Sequence, residues 1–135
     1  ICHGLNDQTK NIQIIILSAP DNFQSAITMV KQMALNYVEV GYNTDRILDV
    51  AALINHLDLI ITPDTSIAHI ASAFNKPVVT IHENNPDSFH LFAPISSLNR
   101  TVFSKSKSGI NDFSVSLLLQ YCVELISLKI EEEYE

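Results

Sequence analysis

Residues 58–77 read DLIITPDTSIAHIASAFNKP, and this stretch decides the fold. Its first part, Asp58 to Thr62, is short, apolar and rich in β-branched residues, which favours a buried strand. Pro63 fixes its own backbone angle and ends the strand, and Asp64 can then cap a helix from about Thr65 to Asn75. The segment therefore predicts a strand, a polar turn and a helix in direct succession.

Strands and helices alternate on both sides of this segment. The other predicted strands are Ile12 to Ser18, Tyr37 to Val40, Pro77 to Ile81 and Arg100 to Ser104. The other predicted helices are Phe23 to Asn36, a stretch with the apolar face Ile47, Val50, Ala51 and Ile54, and about Asp112 to Glu131. This alternation predicts a Rossmann-like α/β domain, a parallel sheet with helices on both faces. We assign residues 1–135 to one such domain, with 83–98 as a loop.

Composition excludes several classes of protein. The chain has 15 acidic and 8 basic residues, so it offers no basic surface for nucleic acid. No apolar stretch reaches the roughly 20 residues that a membrane span needs. Cys2 and Cys122 have no metal-ligand spacing, and we expect free thiols and a cytoplasmic protein. The start, Ile1 to Gly4, has no initiating Met and no signal-peptide pattern, so we expect a piece of a longer protein.

The turn at the start of the central helix is a candidate phosphate site. The amides of Thr65, Ser66 and Ile67 lack partners in an isolated helix, and they lie where ligands collect in open α/β sheets. Helical spacing puts His69 one turn above Thr65, away from the apolar stripe, where an imidazole can donate to a phosphate or ribose oxygen. The alternative is that Asp64 and Thr65 only cap the helix and His69 is a surface histidine.

The segment resembles the glycosyltransferase family 9 enzymes, the bacterial lipopolysaccharide heptosyltransferases. The matching residues are Asp64-Thr65-Ser66, His69 and Lys76-Pro77, and the resemblance extends over roughly residues 12 to 104. It implies one half of a GT-B fold, the C-terminal half that binds ADP-heptose or a related nucleotide-sugar. No metal and no other cofactor is implied.

The resemblance also implies roles for individual residues. Asp64, Thr65 and Ser66 would hold the donor's diphosphate and sugar, and His69 would contact the diphosphate and assist the departure of the nucleotide. The residues expected nearer the nucleoside are Ser18, Pro20, Asp21, Thr44 and Asp45. Plain helix capping explains Asp45 equally well.

Two departures from the family pattern stand out. The family follows the next strand with a Gly-Pro-Thr type of turn, whereas this chain has His82-Glu83-Asn84-Asn85-Pro86. His82 and Glu83 could be replacement ligand contacts on the nucleoside side of the donor, although residues of a surface loop are the alternative that we favour. In addition, the family's acceptor domain, which supplies the general base for inverting transfer, would precede this chain. We therefore assign no catalytic residue here and expect the isolated chain to be inactive.

Other functions stay open. A degenerate, non-catalytic interaction domain would explain the altered turn at His82, and a UDP-sugar enzyme would keep the same site with another donor. The final helix is apolar nearly all round, so we expect it to expose apolar surface or to form a homodimer, unless its own sheet covers it. No histidine spacing fits a metal site, and no GxGxxG follows a strand, which argues against a dinucleotide oxidoreductase.

Overall fold

A computed structural model describes the backbone of residues 1–134 and the side chains of residues 1–132. The chain forms two compact units, Ile1–Val50 and the part from Ala51 onward. The assignment of both units to one nucleotide-sugar-binding domain stays a prediction. Along the described chain, parallel strands alternate with helices, so the α/β class is confirmed.

The first unit contains a two-stranded parallel sheet. Its elements are α1 (Cys2–Gln8), β1 (Ile14–Ile16), a 3-10 turn (Pro20–Asn22), α2 (Phe23–Met33) and β2 (Val38–Val40). The two strands pair in the register Ile14 with Val38 and Ile16 with Val40. A further helix, α3 (Ile47–Asn55), runs from this unit into the next.

The second unit contains a three-stranded parallel sheet in the order β3-β4-β5. Its elements are β3 (Ile60–Pro63), α4 (Ser66–Ala73), β4 (Val78–His82), α5 (Pro86–Phe92), β5 (Asn99–Phe103) and α6 (Val115–Tyr134). All five residues of β4 are buried, as expected of the central strand of a covered sheet. The buried Thr80 hydroxyl hydrogen bonds the Thr101 hydroxyl of β5 at 2.9 Å, which satisfies a polar group inside the core.

Helices α4 and α6 cover this sheet. Helix α4 packs on β3 and β4 through Ala68 and Ala71, and α6 packs on β4 and β5. Leu118, Cys122 and Leu125 of α6 are fully buried, and their spacing of four and three residues marks one helical stripe. Burial raises the pKa of the Cys122 thiol to about 12. Both cysteines are free.

The structure differs from the sequence prediction in four places. The strands form two hydrogen-bonded sheets where we expect one. Helix α1 is not among the predicted helices, because Ile1 before it provides no side-chain cap and so gives no signal for a helix start. The final helix begins at Val115 instead of about Asp112 and includes the exposed Glu131 and Glu132, while residue 135 lies outside the described part.

The fourth difference is α5, which lies inside the expected loop. Pro86 occupies its first turn, and the Asn85 side chain caps it by accepting from the Ser88 amide at 3.3 Å. Asn followed by Pro is a good helix start. With seven residues, α5 is too short to show a clear apolar period.

The large exposed apolar side chains lie mostly outside the final helix. Leu91, Phe92 and Ile95 are 73%, 45% and 84% exposed, whereas in α6 only Val115 and Ile130 among the residues with described side chains are large, apolar and exposed. The expectation that α6 itself exposes its apolar surface is therefore wrong for most of the helix. Within the described part of the chain, no helix combines the length and apolarity that a membrane span requires.

Candidate functional site

The site begins at the turn between β3 and α4. The Asp64 amide still bonds the Ile81 carbonyl of β4 at 3.3 Å, so Asp64 continues the sheet. Thr65 is the N-cap instead, with an extended backbone and a side-chain oxygen that accepts from the Ile67 amide at 3.3 Å. The prediction that Asp64 caps this helix is therefore wrong. Thr65 also shares a hydrogen bond of 3.0 Å with the hydroxyl of Thr62 in β3, which fixes the turn to the strand.

The cap changes which amides a ligand can reach. Ile67 has its partner in Thr65, contrary to the expectation that all three amides of the first turn are unpaired. Within residues 1–134, the amides of Thr65 and Ser66 have no hydrogen-bond acceptor. Both residues are exposed. These two amides and the positive end of the helix dipole suit an anion.

His69 lies one turn along α4 and is exposed. Its ring meets the ring of Phe92 edge-on at a centroid distance of 6.4 Å. The buried side of the helix is formed by Ala68 and Ala71, so the expectation that His69 faces away from the core is confirmed. Ala68 is fully buried, and Phe74, which follows the end of the helix at Ala73, is 43% exposed.

His82 is the last residue of β4 and is only 2% exposed, so the interpretation as a surface-loop residue is wrong. Its Nδ1 lies 3.8 Å from Asp64 Oδ2. Its ring meets Phe89 at 5.1 Å and Phe103 at 6.4 Å between centroids. Burial lowers the pKa of His82, and His69 lowers it further, while Asp64 acts in the opposite direction. The imidazole is therefore neutral at pH 7.

Glu83 is exposed, and it holds the loop after β5. Its Oε1 accepts from the Gly109 amide at 2.7 Å, and the next amide, of Asn84, donates to the Ser106 carbonyl at 2.9 Å. Gly109 has φ of 88°, a conformation that glycine adopts without strain. The turn from Glu83 to Asn84 is therefore a structural link between β4 and residues 104–110.

These residues enclose a cavity of about 370 Å³ at the carboxyl ends of β3 and β4. The residues that line it are Pro63, Asp64, Ile81, His82, Glu83, Ser88, Phe89, Gly109 and Ile110. The sequence pattern does not predict Ser88, Phe89, Gly109 or Ile110 as site residues. The Asn85-Pro86 helix start was the available signal for the first two, because it places them in the first turn of α5.

The remaining candidate residues lie in the first unit. Ser18 follows β1, and its buried hydroxyl has no hydrogen-bond partner among the described residues. Pro20 and Asp21 form the exposed 3-10 turn that begins α2. Thr44 donates to Asp49 Oδ2 at 2.8 Å and accepts from the Arg46 amide at 3.1 Å, whereas the neighbouring Asp45 is exposed. Local capping before α3 thus comes from Thr44.

Within the described chain, no three His, Cys, Asp or Glu side chains are grouped closely enough to hold a metal ion. The metal-independence of the reaction stays a prediction.

Comparisons with known proteins point to one family. A family model described as Glycosyltransferase family 9 (heptosyltransferase) matches residues 5–117. A solved structure of the E. coli ADP-heptose LPS heptosyltransferase II is similar, with a TM-score of 0.65 and 17% sequence identity over 91% of this chain. The match spans 38% of the length of that protein. No curated protein matches the sequence. At this identity, the structural similarity shows the fold alone.

Proposed function

Because the chain belongs to glycosyltransferase family 9, the heptosyltransferases, we propose that it binds the nucleotide-sugar donor of a sugar transfer reaction, with ADP-heptose as the donor. The observation that carries this proposal is the start of α4. Two amides without acceptors in the described chain lie beside a cavity at the carboxyl ends of parallel strands. Ligands of open α/β sheets bind at such ends.

The proposed contacts follow from this geometry. The Thr65 and Ser66 amides bind the diphosphate, whose negative charge the helix end favours. Asp64 lines the cavity and directly precedes this turn, so it contacts the sugar. His69, one turn along the same helix, donates to the diphosphate and stabilises the charge that develops as the nucleotide leaves.

The nucleoside side of the donor is assigned to the first unit. We propose that Ser18, Pro20, Asp21, Thr44 and Asp45 contact the nucleoside, with His82 and Glu83 as further contacts on the donor. The unpartnered hydroxyl of Ser18 supports a polar ligand there, whereas the two hydrogen bonds of Thr44 support a local capping role as well.

Transfer itself needs groups that this chain does not supply. A base must deprotonate the acceptor hydroxyl while the diphosphate leaves from the opposite face of the sugar, which gives inversion. We propose that an N-terminal domain provides this base and binds the lipid A-core acceptor, and that the chain alone is inactive. Neither a metal nor nucleic acid takes part in this proposal. The free thiols support a cytoplasmic location. We propose that the full-length protein is peripheral at the inner membrane. The exposed apolar residues Leu91, Phe92 and Ile95 support a homodimer.

Calorimetric titration with ADP and with UDP tests the proposal. We expect saturable ADP binding that His69→Ala weakens about tenfold, since it removes a hydrogen bond to a charged group. We expect Asp64→Ala to weaken the binding of ADP-heptose but not of ADP, because Asp64 contacts the sugar. His56→Ala is the matched control, because His56 is exposed and lies outside the cavity. Tighter UDP binding would keep the site but change the donor. Binding of neither nucleotide would favour the non-catalytic interaction domain.

A further inference from the structure

His82 is a buried polar residue with an incomplete set of hydrogen bonds. Its Nε2 is inaccessible to solvent and has no hydrogen-bond partner among the described residues. The rings of Phe89 and Phe103 pack against the imidazole. A buried donor without an acceptor costs free energy, so the ring avoids a proton on Nε2. The neutral tautomer with the proton on Nδ1 leaves only an acceptor unsatisfied.

That tautomer presents a hydrogen-bond donor beside Asp64. The distance of 3.8 Å from Nδ1 to Asp64 Oδ2 is too long for a direct hydrogen bond. The N–H is therefore available to an oxygen atom that enters between the two groups. Such an oxygen can accept from His82 and donate to Asp64, which is the hydrogen-bonding behaviour of a hydroxyl group.

The residues that line the cavity also favour a hydroxyl group over a phosphate. Asp64 and Glu83 both bring carboxylates to it, Ser88 brings a hydroxyl, and neither lysine nor arginine lines it. Two carboxylates disfavour a phosphate by like-charge repulsion. They accept hydrogen bonds from neutral hydroxyl groups at no such cost. A volume of about 370 Å³ lies at the small end of the range for ligand pockets, about 300–1,000 Å³.

We propose that His82 is a specificity-determining residue that, together with Asp64, binds a hydroxyl of the donor's sugar in this cavity, and that the cavity takes a neutral polyhydroxylated ring and not a phosphate. This inference rests on the proposed function, because it divides that donor between two places. The diphosphate binds at the start of α4, and the sugar binds between β3, β4 and α5. His82 thus contacts the sugar, in contrast to the nucleoside-side assignment.

The experiment compares ADP-heptose with ADP in calorimetric titrations of the full chain. The readout is the ratio of the two dissociation constants, which measures how much the sugar increases the affinity. We expect His82→Phe, which keeps an aromatic ring but removes the hydrogen-bond donor, to lower this gain in affinity about tenfold. We expect His82→Asn, whose amide nitrogen takes the position of Nδ1, to keep it within about twofold of the wild type. If His82→Phe does not fold, the contrast between His82→Asn and His82→Leu carries the test.

His90→Phe is the matched control, since His90 is exposed on α5 and does not line the cavity of about 370 Å³. An unchanged ratio in His82→Phe, with wild-type binding of both ligands, would overturn this inference alone. Equal losses for ADP and ADP-heptose would also overturn it, in favour of a nucleoside contact. If UDP binds more tightly than ADP, UDP-glucose and UDP replace the pair. A wild-type chain that binds none of these ligands would overturn the proposed function as well.

Discussion

Two adjacent residues before α4, Asp64 and Thr65, have different hydrogen-bond partners and therefore different roles. Thr65 caps the helix, whereas Asp64 continues the sheet. This difference depends on β4, because the Asp64 amide bonds the Ile81 carbonyl and so leaves the cap to Thr65. A partner that lies 17 positions away along the chain has no local signal. The burial of His82 has no local signal in the sequence either, because Phe89 and Phe103, whose rings pack against it, belong to other elements.

His82 gives stability a specific pH dependence. Its pKa is lowered in the folded state by burial, against the opposing effect of Asp64. At pH values below the ordinary histidine pKa of about 6.5, His82 is protonated to a greater extent in the unfolded chain than in the folded chain. The contribution of His82 to the free energy of unfolding is therefore fully present above this pH and is lost as the pH falls below it. We expect the free energy of unfolding in urea to fall more between pH 7.5 and 5.5 for the wild type than for His82→Phe.

Parallel measurements on His90→Phe serve as the control, because His90 is exposed. This variant should follow the wild type across the same pH range. Curves of wild type and His82→Phe that run parallel would mean that His82 titrates alike in both states. A wild type that gains stability relative to His82→Phe on acidification would reverse the assigned direction.

At the scale of elements, the sequence predicts well the strands that form apolar, β-branched runs and the helices that have a clear apolar period. The β3-α4-β4 succession and the final helix follow from apolar runs and helical spacing. Helix α5 does not, since its seven residues include two exposed apolar side chains, Leu91 and Phe92. Its position depends on contacts of Phe89 with Phe103 on β5, at a centroid distance of 4.9 Å. Tertiary contacts, not local period, define this element.

The buried stripe of α6 should dominate its contribution to stability. Leu118 is fully buried against the sheet, so Leu118→Ala removes apolar contacts and leaves a cavity that costs about 2–5 kcal/mol. Ile130 on the same helix is 49% exposed, and Ile130→Ala should change stability by no more than about 0.5 kcal/mol. Urea unfolding followed by circular dichroism measures both. Similar losses for the two variants would mean that α6 does not pack through the Leu118 stripe.

For the molecule as a whole, the family could be predicted from residues 58–82 and the parallel α/β architecture from the alternation of strands and helices along the chain. The grouping of the strands into two sheets could not be predicted. Each strand of β1 and β2 spans only three residues, and such short strands say little about which neighbour they will bond. The proposed function depends on more than a donor site, because sugar transfer also requires an acceptor and a base.

The chain should therefore bind donor without transferring sugar. Asp64 and Glu83, the two carboxylates at the proposed sugar site, line the cavity that holds the donor, and Glu83 also accepts from the Gly109 amide. Carboxylates that contact the donor sugar in its own cavity do not reach an acceptor hydroxyl on the opposite face of the ring. We expect saturable binding of ADP-heptose but no release of ADP above background with a lipid A-core acceptor, while the E. coli heptosyltransferase II turns over in the same assay. Turnover by this chain, abolished by Asp64→Asn or Glu83→Gln, would place the base within it and would contradict the proposed division of labour between two domains.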